Sequence, residues 1–293
     1  PIEMYPYDFT KENYSSLGYI AEGITTYQGD LFLLKSGVFN ENQYFDELKA
    51  QFQKHFDNHG RFNYSVAESS FDTWLDGYEQ GAPGRKVSIY TEGCILAFVA
   101  DVRIRRSTTN KAGLDDVMRR LYFDYALHQK GVSAQDYQIT IENTAGHSFQ
   151  DYFDDYVYGS MSFESIITDA LDYLGLELIH YPSESYAQGR LGLKTSRAGD
   201  TIKVASMYPG GPAELANLSI GDQIIAVNGY AINGDLDQWL NYFDVNPKVV
   251  AVNRSGIIKD FSIPEVNRNF YMEYRIDKLE NPNHLQINAY NAW

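Results

Sequence analysis

The sequence lacks the features that mark disulfide-stabilised, membrane-spanning or nucleic-acid-binding proteins. Its one cysteine, Cys94, excludes an internal disulfide and stands in an apolar run, so we expect it to be a small buried hydrophobic residue. No apolar run approaches the roughly 18 residues that a membrane-spanning helix needs, and no signal peptide is recognisable. Lys and Arg are also scarce, with 24 against 39 Asp and Glu, which gives a net charge of −15. This charge argues against nucleic acid or an anionic membrane as a partner.

The rest of the composition is that of a globular chain. Hydrophobic residues make up 44% of the 293 residues and aromatic residues 15%, which is enough for two domains with cores of their own. The acidic balance mildly favours substrates that carry a free amino group, although a soluble surface is the simpler explanation. Because the sequence begins with Pro1 and not with methionine, we expect it to be a piece of a longer protein. The sequence does not indicate a cellular compartment.

Helical spacing runs through the first 175 residues. From Tyr14 to Leu34 the apolar side chains form one helical stripe, which ends before Gly37. Asn40 with Gln43 predicts a capping box at the start of a second helix. Further helices are predicted over residues 90–106, 114–129 and 163–174, and after Ser133 and Ser148, each with an acidic residue three positions later. The pattern therefore predicts a mainly helical domain.

Short β-type runs begin after Gly175. They lie at residues 176–180, 191–195, 201–206, 223–227, 249–253 and 257–263, and one helix is predicted from Leu236 to Phe243. The whole chain thus predicts an α+β multidomain fold. The predicted divisions are a helical domain over residues 1–175, a β-sandwich or barrel over residues 176–266, and a tail over residues 267–293. The apolar side chains of the tail should pack back on the domains.

The region from residue 210 to residue 232 has the clearest local signals. Gly210 and Gly211 allow a sharp turn, Pro212 suits the first position of a short helix, and Asn228-Gly229 supplies the positive φ angles of a tight hairpin. Together these residues resemble the signature of a PDZ domain, a module that captures peptides.

The PDZ resemblance implies a peptide groove. Leu191-Gly192-Leu193 resembles the carboxylate-binding loop, whose backbone N–H groups would hold a peptide C-terminus with charge attraction from Arg190. The helix from Leu236 would form the other wall, with Trp239 as a contact. The alternative is a groove filled by the tail or by the helical lobe.

Glu22 and Tyr90 are the candidates for chemistry. Glu22 shares a helix face with glycines and small hydroxyl residues, which leave room for a bulky group such as a zinc ion on a neighbouring helix. The alternative is a solvated glutamate. Tyr90 stands where an irregular segment becomes a helix, and its hydroxyl could donate a hydrogen bond to an oxyanion on a peptide carbonyl. A structural role is the alternative for any one of 24 tyrosines.

The two candidates together carry a family resemblance. Glu22-Gly23 and the motif Tyr90-x-x-Gly93 lie 68 residues apart, as counted from Glu22 to Tyr90. This arrangement resembles the second half of the catalytic domain of the glycyl aminopeptidases, zinc metallopeptidases of the thermolysin-like gluzincin clan. Further stretches agree with this family, as does the order of helical lobe, PDZ module and tail: residues 23–37, Ser70–Trp74, Ala100–Arg105, Leu114–Met118 and Phe153–Gly159.

The resemblance implies roles for both residues. Glu22 would be the third zinc ligand and Tyr90 would stabilise the tetrahedral intermediate, in an enzyme that removes small N-terminal residues, glycine foremost. In the family, two histidines of an H-E-x-x-H helix complete the zinc site, and the glutamate of that motif acts as general base. The motif is absent from these residues, so we expect the chain alone to bind no catalytic zinc and to be inactive. The alternative function is a non-catalytic PDZ scaffold with a degenerate peptidase lobe.

His55 and His59 have the spacing of two ligands on one helical face. Phe56 stands where an H-E-x-x-H motif carries its base, so packing or helix capping is the favoured interpretation. Because the partner helix of the lobe is missing, part of the core should be exposed, and we predict a homodimer that covers it.

Overall fold

The computed structural model describes residues 1–76 and 81–293. These residues form two compact units. One, the helical unit, comprises residues 1–179 and 275–293; the other, the sheet unit, comprises residues 180–274. The α+β multidomain fold predicted from the sequence is confirmed.

Helices make up most of the helical unit. The helices before the sheet unit are α1 Gly18–Lys35, α2 Glu41–Asp57, α3 Val66–Phe71, α4 Thr73–Asp76, α5 Ile89–Ser107, α6 Leu114–Asp124, α7 Ala134–Ala145, a π-helix Tyr152–Val157, and α8 Glu164–Tyr173. Short 3-10 turns lie at Ile2–Met4, His59–Phe62 and Ala126–His128. None of the helices in the described residues is both long enough and apolar enough to span a bilayer.

Two of the predicted helix starts carry capping boxes, whereas Ser148 and Asp151 do not form one. The Asn40 side chain accepts a hydrogen bond from the Gln43 backbone N–H at 3.0 Å, and the Gln43 side chain accepts one from the Asn40 N–H. Ser133 and Asp136 form the same reciprocal pair at the start of α7. Each pair satisfies backbone N–H donors that have no acceptor inside the helix. Because the two residues of a pair are only three positions apart, the sequence predicts these two helix starts.

The centre of the helical unit is α5, whose residues are buried on nearly every side. Cys94 is 2% exposed, as predicted, and burial raises the pKa of its thiol to about 12. Helix α1 packs on α5 without room for side chains at one point: a Cβ on Gly23 would lie 2.2 Å from the carbonyl carbon of Gly93. Backbone therefore touches backbone where the two helices meet.

Two helices differ from the prediction. The helix expected over residues 114–129 ends at Asp124, and the chain turns through Gln129, which has a left-handed φ of 54°. The helix expected after Ser148 becomes the wider π-helix at Tyr152, which buries large aromatic side chains within one short segment. Neither change has a local signal in the sequence.

Residues 275–293 complete the helical unit with two elements that the sequence analysis did not predict. Strand β8, Met272–Lys278, pairs with β1, Leu176–Pro182, and helix α12 covers His284–Ala292. The buried Trp293 indole N–H donates to the Tyr27 hydroxyl at 2.7 Å, and this hydroxyl donates to Asp101 at 2.7 Å. A continuous hydrogen-bonded chain thus ties residue 293 to α1 and α5.

The sheet unit is built around one antiparallel sheet. Its elements are α9 Tyr186–Gly189, β2 Leu193–Ala198, β3 Thr201–Met207, α10 Pro212–Leu215, β4 Gln223–Val227, β5 Tyr230–Ala231, α11 Leu236–Tyr242, β6 Lys248–Arg254 and β7 Ile257–Ile263. The strand order is β2-β3-β4-β6-β7, with β5 paired to β4. The predicted hairpin turn is confirmed, since Asn228 and Gly229 have φ angles of 50° and 83° and Val227 pairs with Tyr230.

Candidate functional site

Glu22 and Tyr90 lie at the contact between α1 and α5. The two helices run in the same direction, because Gly18 lies against Ile89, Gly23 against Gly93, and Tyr27 against Asp101. Glu22 precedes Gly23, and Tyr90 lies three residues before Gly93. Both candidates are therefore within one helical turn of the closest backbone contact.

Glu22 is half-buried at this contact. Among the described residues its carboxylate has no hydrogen-bond or ion-pair partner. The neighbouring hydroxyls of Thr25 and Thr26 donate to the Glu22 backbone carbonyl at 3.0 and 2.7 Å, so they are engaged with the helix itself. The carboxylate is thus the strongest ligand group on this face.

Tyr90 is held by the first turn of α5. The Ser88 hydroxyl accepts a hydrogen bond from the Thr91 backbone N–H at 3.3 Å, and the neighbouring Ile89 is buried. The Tyr90 ring is half-buried. The cap at Ser88 and the burial of Ile89 hold the first turn of α5 in place, and this fixes the direction in which the Tyr90 side chain projects.

These residues do not make a zinc site by themselves. Within residues 1–76 and 81–293, no group of three or more His, Cys, Asp or Glu side chains could hold a metal ion. Zinc sites in proteins use three or four protein ligands, and the helix contact supplies one carboxylate.

His55 and His59 do not share a helical face. Helix α2 ends at Asp57, and His59 begins the following 3-10 turn. The His55 ring is 1% exposed, stacks on Phe163 with ring centroids 4.8 Å apart, and has its Nδ1 2.7 Å from Glu92 Oε2. The structure supports the packing interpretation of this histidine.

A small pocket lies beside this buried pair. It is open to solvent, has a cavity volume of about 10 Å³, which is room for one water, and is lined by the 3-10 turn before α3, the start of α5 and the end of the π-helix. Arg61 and Glu92 are its charged lining residues. Sequence reasoning missed this pocket because its walls come from segments up to 100 residues apart that carry no shared motif.

The predicted carboxylate loop in the sheet unit is tightly held. Gly192 has a φ of +64°, and a Cβ there would lie 3.1 Å from the Tyr208 Cβ and 3.3 Å from the Phe270 ring. The Gly192 and Leu191 carbonyls accept backbone hydrogen bonds from Tyr208 at 2.8 Å and Ala213 at 3.0 Å. Leu191 and Leu193 point into the core of the unit.

The segment that contains Phe270 borders this loop. The Phe270 N–H donates to the Gly189 carbonyl at 3.1 Å, and its ring meets the Tyr208 ring edge-on. Residues predicted as tail therefore pack beside Gly192, which bears on the alternative of a groove filled by the chain itself.

Trp239 belongs to an aromatic cluster on α11. Its ring stacks on Tyr230 of the β4–β5 hairpin at 5.3 Å and on Phe243 at 5.8 Å, while its indole N–H donates to Asp235 at 3.1 Å. The structure thus brings Trp239 to the hairpin, and its role as a peptide contact stays a prediction.

Comparison with known families fits this arrangement. Residues 1–96 match the family model of the M61 glycyl aminopeptidases. This match contains both Glu22 and Tyr90. Residues 182–235 match the PDZ domain model, so both predicted resemblances are confirmed.

A solved structure has a similar fold. The chain is similar to the crystal structure of an aminopeptidase N family protein from Idiomarina loihiensis, with a TM-score of 0.86 and 22% identity. The match covers 99% of this chain and 51% of that one, so the chain spans about half of the length of its relative. This likeness shows the fold.

A second solved structure matches a part of the chain. It is the HtrA3 PDZ domain bound to a phage-derived ligand, at 16% identity over 34% of this chain and 93% of that one, with a TM-score of 0.24. No curated protein sequence matches this chain.

Proposed function

We propose that the chain is part of a zinc-dependent aminopeptidase that hydrolyses peptides with a small N-terminal residue, glycine foremost. One observation carries the proposal: Glu22 and Tyr90 both lie within a helical turn of the Gly23–Gly93 contact, inside the segment that matches glycyl aminopeptidases. A carboxylate that has no partner among the described residues and a phenol on the adjoining helix are groups that metal-assisted peptide hydrolysis can use.

The proposed roles follow from what each side chain offers. Glu22 would supply one oxygen ligand to zinc, and the remaining ligands would come from outside residues 1–293. The Tyr90 hydroxyl would donate a hydrogen bond to the carbonyl oxygen of the scissile peptide as negative charge develops on it. The described residues thus contribute one ligand and one hydrogen-bond donor to a metal site that they do not complete alone.

A second candidate function is peptide binding by the sheet unit, without catalysis. The match to PDZ domains and the left-handed backbone at Gly192 favour it. Backbone N–H groups of Leu191, Gly192 and Leu193 would hold a peptide C-terminus, with Trp239 on the helix opposite.

Zinc content and hydrolysis of glycine p-nitroanilide by the full-length protein test the first candidate. We expect about one zinc per chain and turnover of the anilide. A full-length protein without zinc and without turnover would eliminate the peptidase and leave peptide binding as the function.

The predicted homodimer is a separate proposal. The exposed aromatic side chains Phe9, Tyr122 and Phe123 supply apolar surface that a second copy would cover. Light scattering on the 293-residue chain should give twice the monomer mass of 33.4 kDa. A monomer that binds no hydrophobic dye contradicts the proposal.

A further inference from the structure

The sheet unit contains a buried ammonium group that is paired with a carboxylate of the same unit. The Lys248 side chain, at the first residue of β6, is 3% exposed. Its Nζ donates to the Tyr186 hydroxyl and lies 4.4 Å from the centre of the Tyr186 ring and 3.5 Å from Glu265 Oε2. The Tyr186 hydroxyl in turn donates to the same Glu265 oxygen. Lys248 and Tyr186 therefore form an anion site, and the Glu265 carboxylate occupies it.

Glu265 holds this position with one of its two carboxylate oxygens. Both contacts go to Oε2, while Oε1 has no partner among the described residues, and 33% of the side chain is exposed. The backbone of Glu265 is fixed separately: its N–H donates to the Asn246 side chain at 2.9 Å, and its carbonyl accepts from the same side chain at 3.2 Å. The Glu265 side chain can thus rotate into solvent while its backbone stays in place, so another carboxylate can replace it.

The charges around the anion site favour an ionised occupant. The hydrogen bond from Tyr186, together with the charge of Lys248, outweighs burial and lowers the pKa of the Glu265 carboxyl. Arg190 adds a positive charge near the Tyr186 hydroxyl, and Asp244 adds a negative one. A ligand that displaces Glu265 must itself be anionic, because an uncharged group would leave the buried Lys248 ammonium without a counterion.

The anion site lies next to the predicted carboxylate loop. The Tyr186 carbonyl accepts the backbone N–H groups of Arg190 at 2.9 Å and of Leu191 at 3.3 Å, so the residue that lines the site also holds the start of the loop. The next residue, Ala187, donates its N–H to Asp237 on α11 at 2.8 Å. Tyr186 therefore stands between the loop and α11, the two predicted walls of the peptide groove.

We propose that Lys248 and Tyr186 bind the terminal carboxylate of a peptide, and that Glu265 competes with the peptide for this site. The inference rests on the second candidate function, peptide binding by the sheet unit. A peptide that lies between the loop and α11 brings a carboxylate at its C-terminus, which is the anion that the site requires. Because Glu265 is part of the same unit, its effective concentration at the site is high, and it lowers the affinity for every peptide that must displace it.

Peptide arrays test this with the full-length protein. One array carries random-sequence peptides with free C-termini, and a second carries the same peptides as C-terminal amides; both are attached through their N-termini, which also prevents cleavage by an aminopeptidase. We expect Glu265→Ala and Glu265→Gln to increase the amount of protein bound to the free-terminus array at least fivefold and to leave the amide array unchanged. Glu184→Ala and Glu184→Gln are the matched controls, because they remove the same charge from an exposed side chain two residues before Tyr186.

A double variant separates the anion site from a general change of charge. In Glu265→Gln combined with Lys248→Met the gain on the free-terminus array should disappear, since the site then has no ammonium group. A gain that persists without Lys248 contradicts the inference, as does equal binding of free-terminus and amide peptides by Glu265→Gln. If no variant binds either array, peptide binding by the sheet unit is refuted, whereas an array signal that the Glu265 substitutions leave unchanged refutes only the inference.

A second measurement decides the site even where the double variant does not fold. The Lys248 Nζ resonance, assigned by its loss in Lys248→Met, should shift when acetate is added to Glu265→Gln, at concentrations that leave the wild-type resonance in place. Acetamide, which has the same shape without the charge, should shift it in neither protein. A resonance of Glu265→Gln that does not respond to acetate overturns the inference, because Lys248 then accepts no carboxylate other than Glu265.

Discussion

The two units present their candidate residues in opposite ways. In the helical unit, the Glu22 carboxylate has no hydrogen-bond or ion-pair partner among the described residues, and it lies beside a contact made by two glycine backbones. In the sheet unit, the Gly192 loop is enclosed by Tyr208 and Phe270, which belong to the same unit. Glycine thus allows two helices to approach each other closely in one unit and allows a left-handed turn in the other. The comparison teaches that the described residues leave the Glu22 carboxylate without a partner, whereas the Gly192 loop is packed by its own chain.

Gly23→Ala should produce the largest effect, because it breaks the helix contact. The added Cβ meets the Gly93 backbone at 2.2 Å, and a backbone cannot move aside as a side chain can. We expect a loss of about 3 kcal/mol in the free energy of unfolding, the upper end of overpacking costs. Urea denaturation followed by circular dichroism measures it.

Gly29→Ala is the matched control on the same helix. A Cβ at Gly29 meets nothing within 4 Å, so the higher helix propensity of alanine should stabilise by up to about 1 kcal/mol. Equal effects of the two substitutions would contradict the account of the α1–α5 contact.

Gly192→Ala should have a smaller effect in the sheet unit. Its φ of +64° costs an alanine about 1–2 kcal/mol, and the Cβ would press on Tyr208 at 3.1 Å. Gly199→Ala has a similar φ of +60° with nothing within 4 Å, so it isolates the backbone cost. Denaturation should give Gly192→Ala a lower free energy of unfolding than Gly199→Ala. Equal free energies of unfolding would show that the Gly192 loop is not enclosed.

The sequence predicts those elements of the fold that depend on interactions between residues close together in the chain. The starts of α2 and α7 and the Asn228-Gly229 turn were predicted correctly, because each is set by residues within four positions of one another. The π-helix and the elements of residues 272–293 were missed. Their packing, such as Trp293 on Tyr27, joins parts of the chain that have no common pattern.

The candidate site shows the same limit. Glu22 and Tyr90 were chosen from their local sequence and from a resemblance to a family, and the structure adds that both lie within one helical turn of the Gly23–Gly93 contact. Glu92 was not singled out from the sequence, yet it is buried against His55, which lies 37 residues earlier. Arg61 had no signal at all, since its buried Nε–H, which has no acceptor among the described residues, is recognised only once its surroundings are known.

The pH dependence of stability should give the smallest effect. Burial raises the pKa of Asp222, but hydrogen bonds from Arg254 and from the Ser219 N–H outweigh burial and hold the pKa below its ordinary value. A depressed folded pKa stabilises the sheet unit above about pH 4, and this contribution is lost as pH falls through the folded pKa. Between pH 6 and pH 3 we expect a loss of about 1 kcal/mol from this pair, which is the scale of one hydrogen bond.

Denaturation of Asp222→Asn at both pH values checks this prediction. The variant should lose stability at pH 6 and show a weaker pH dependence than the wild type. Asp260→Asn, which removes an exposed carboxyl on β7, should keep the wild-type dependence. If the stability of Asp222→Asn depends on pH as steeply as that of the wild type, the pH dependence does not come from Asp222.

The most direct test of the peptidase account compares Glu22→Gln with Tyr90→Phe in the full-length protein, with zinc content and glycine p-nitroanilide hydrolysis measured on the same samples. We predict that Glu22→Gln loses both zinc and activity. Tyr90→Phe should keep its zinc, lose about 3 kcal/mol of transition-state stabilisation, and turn over the anilide about a hundredfold more slowly. Full zinc content in Glu22→Gln, or an unchanged turnover rate in Tyr90→Phe, would contradict the account.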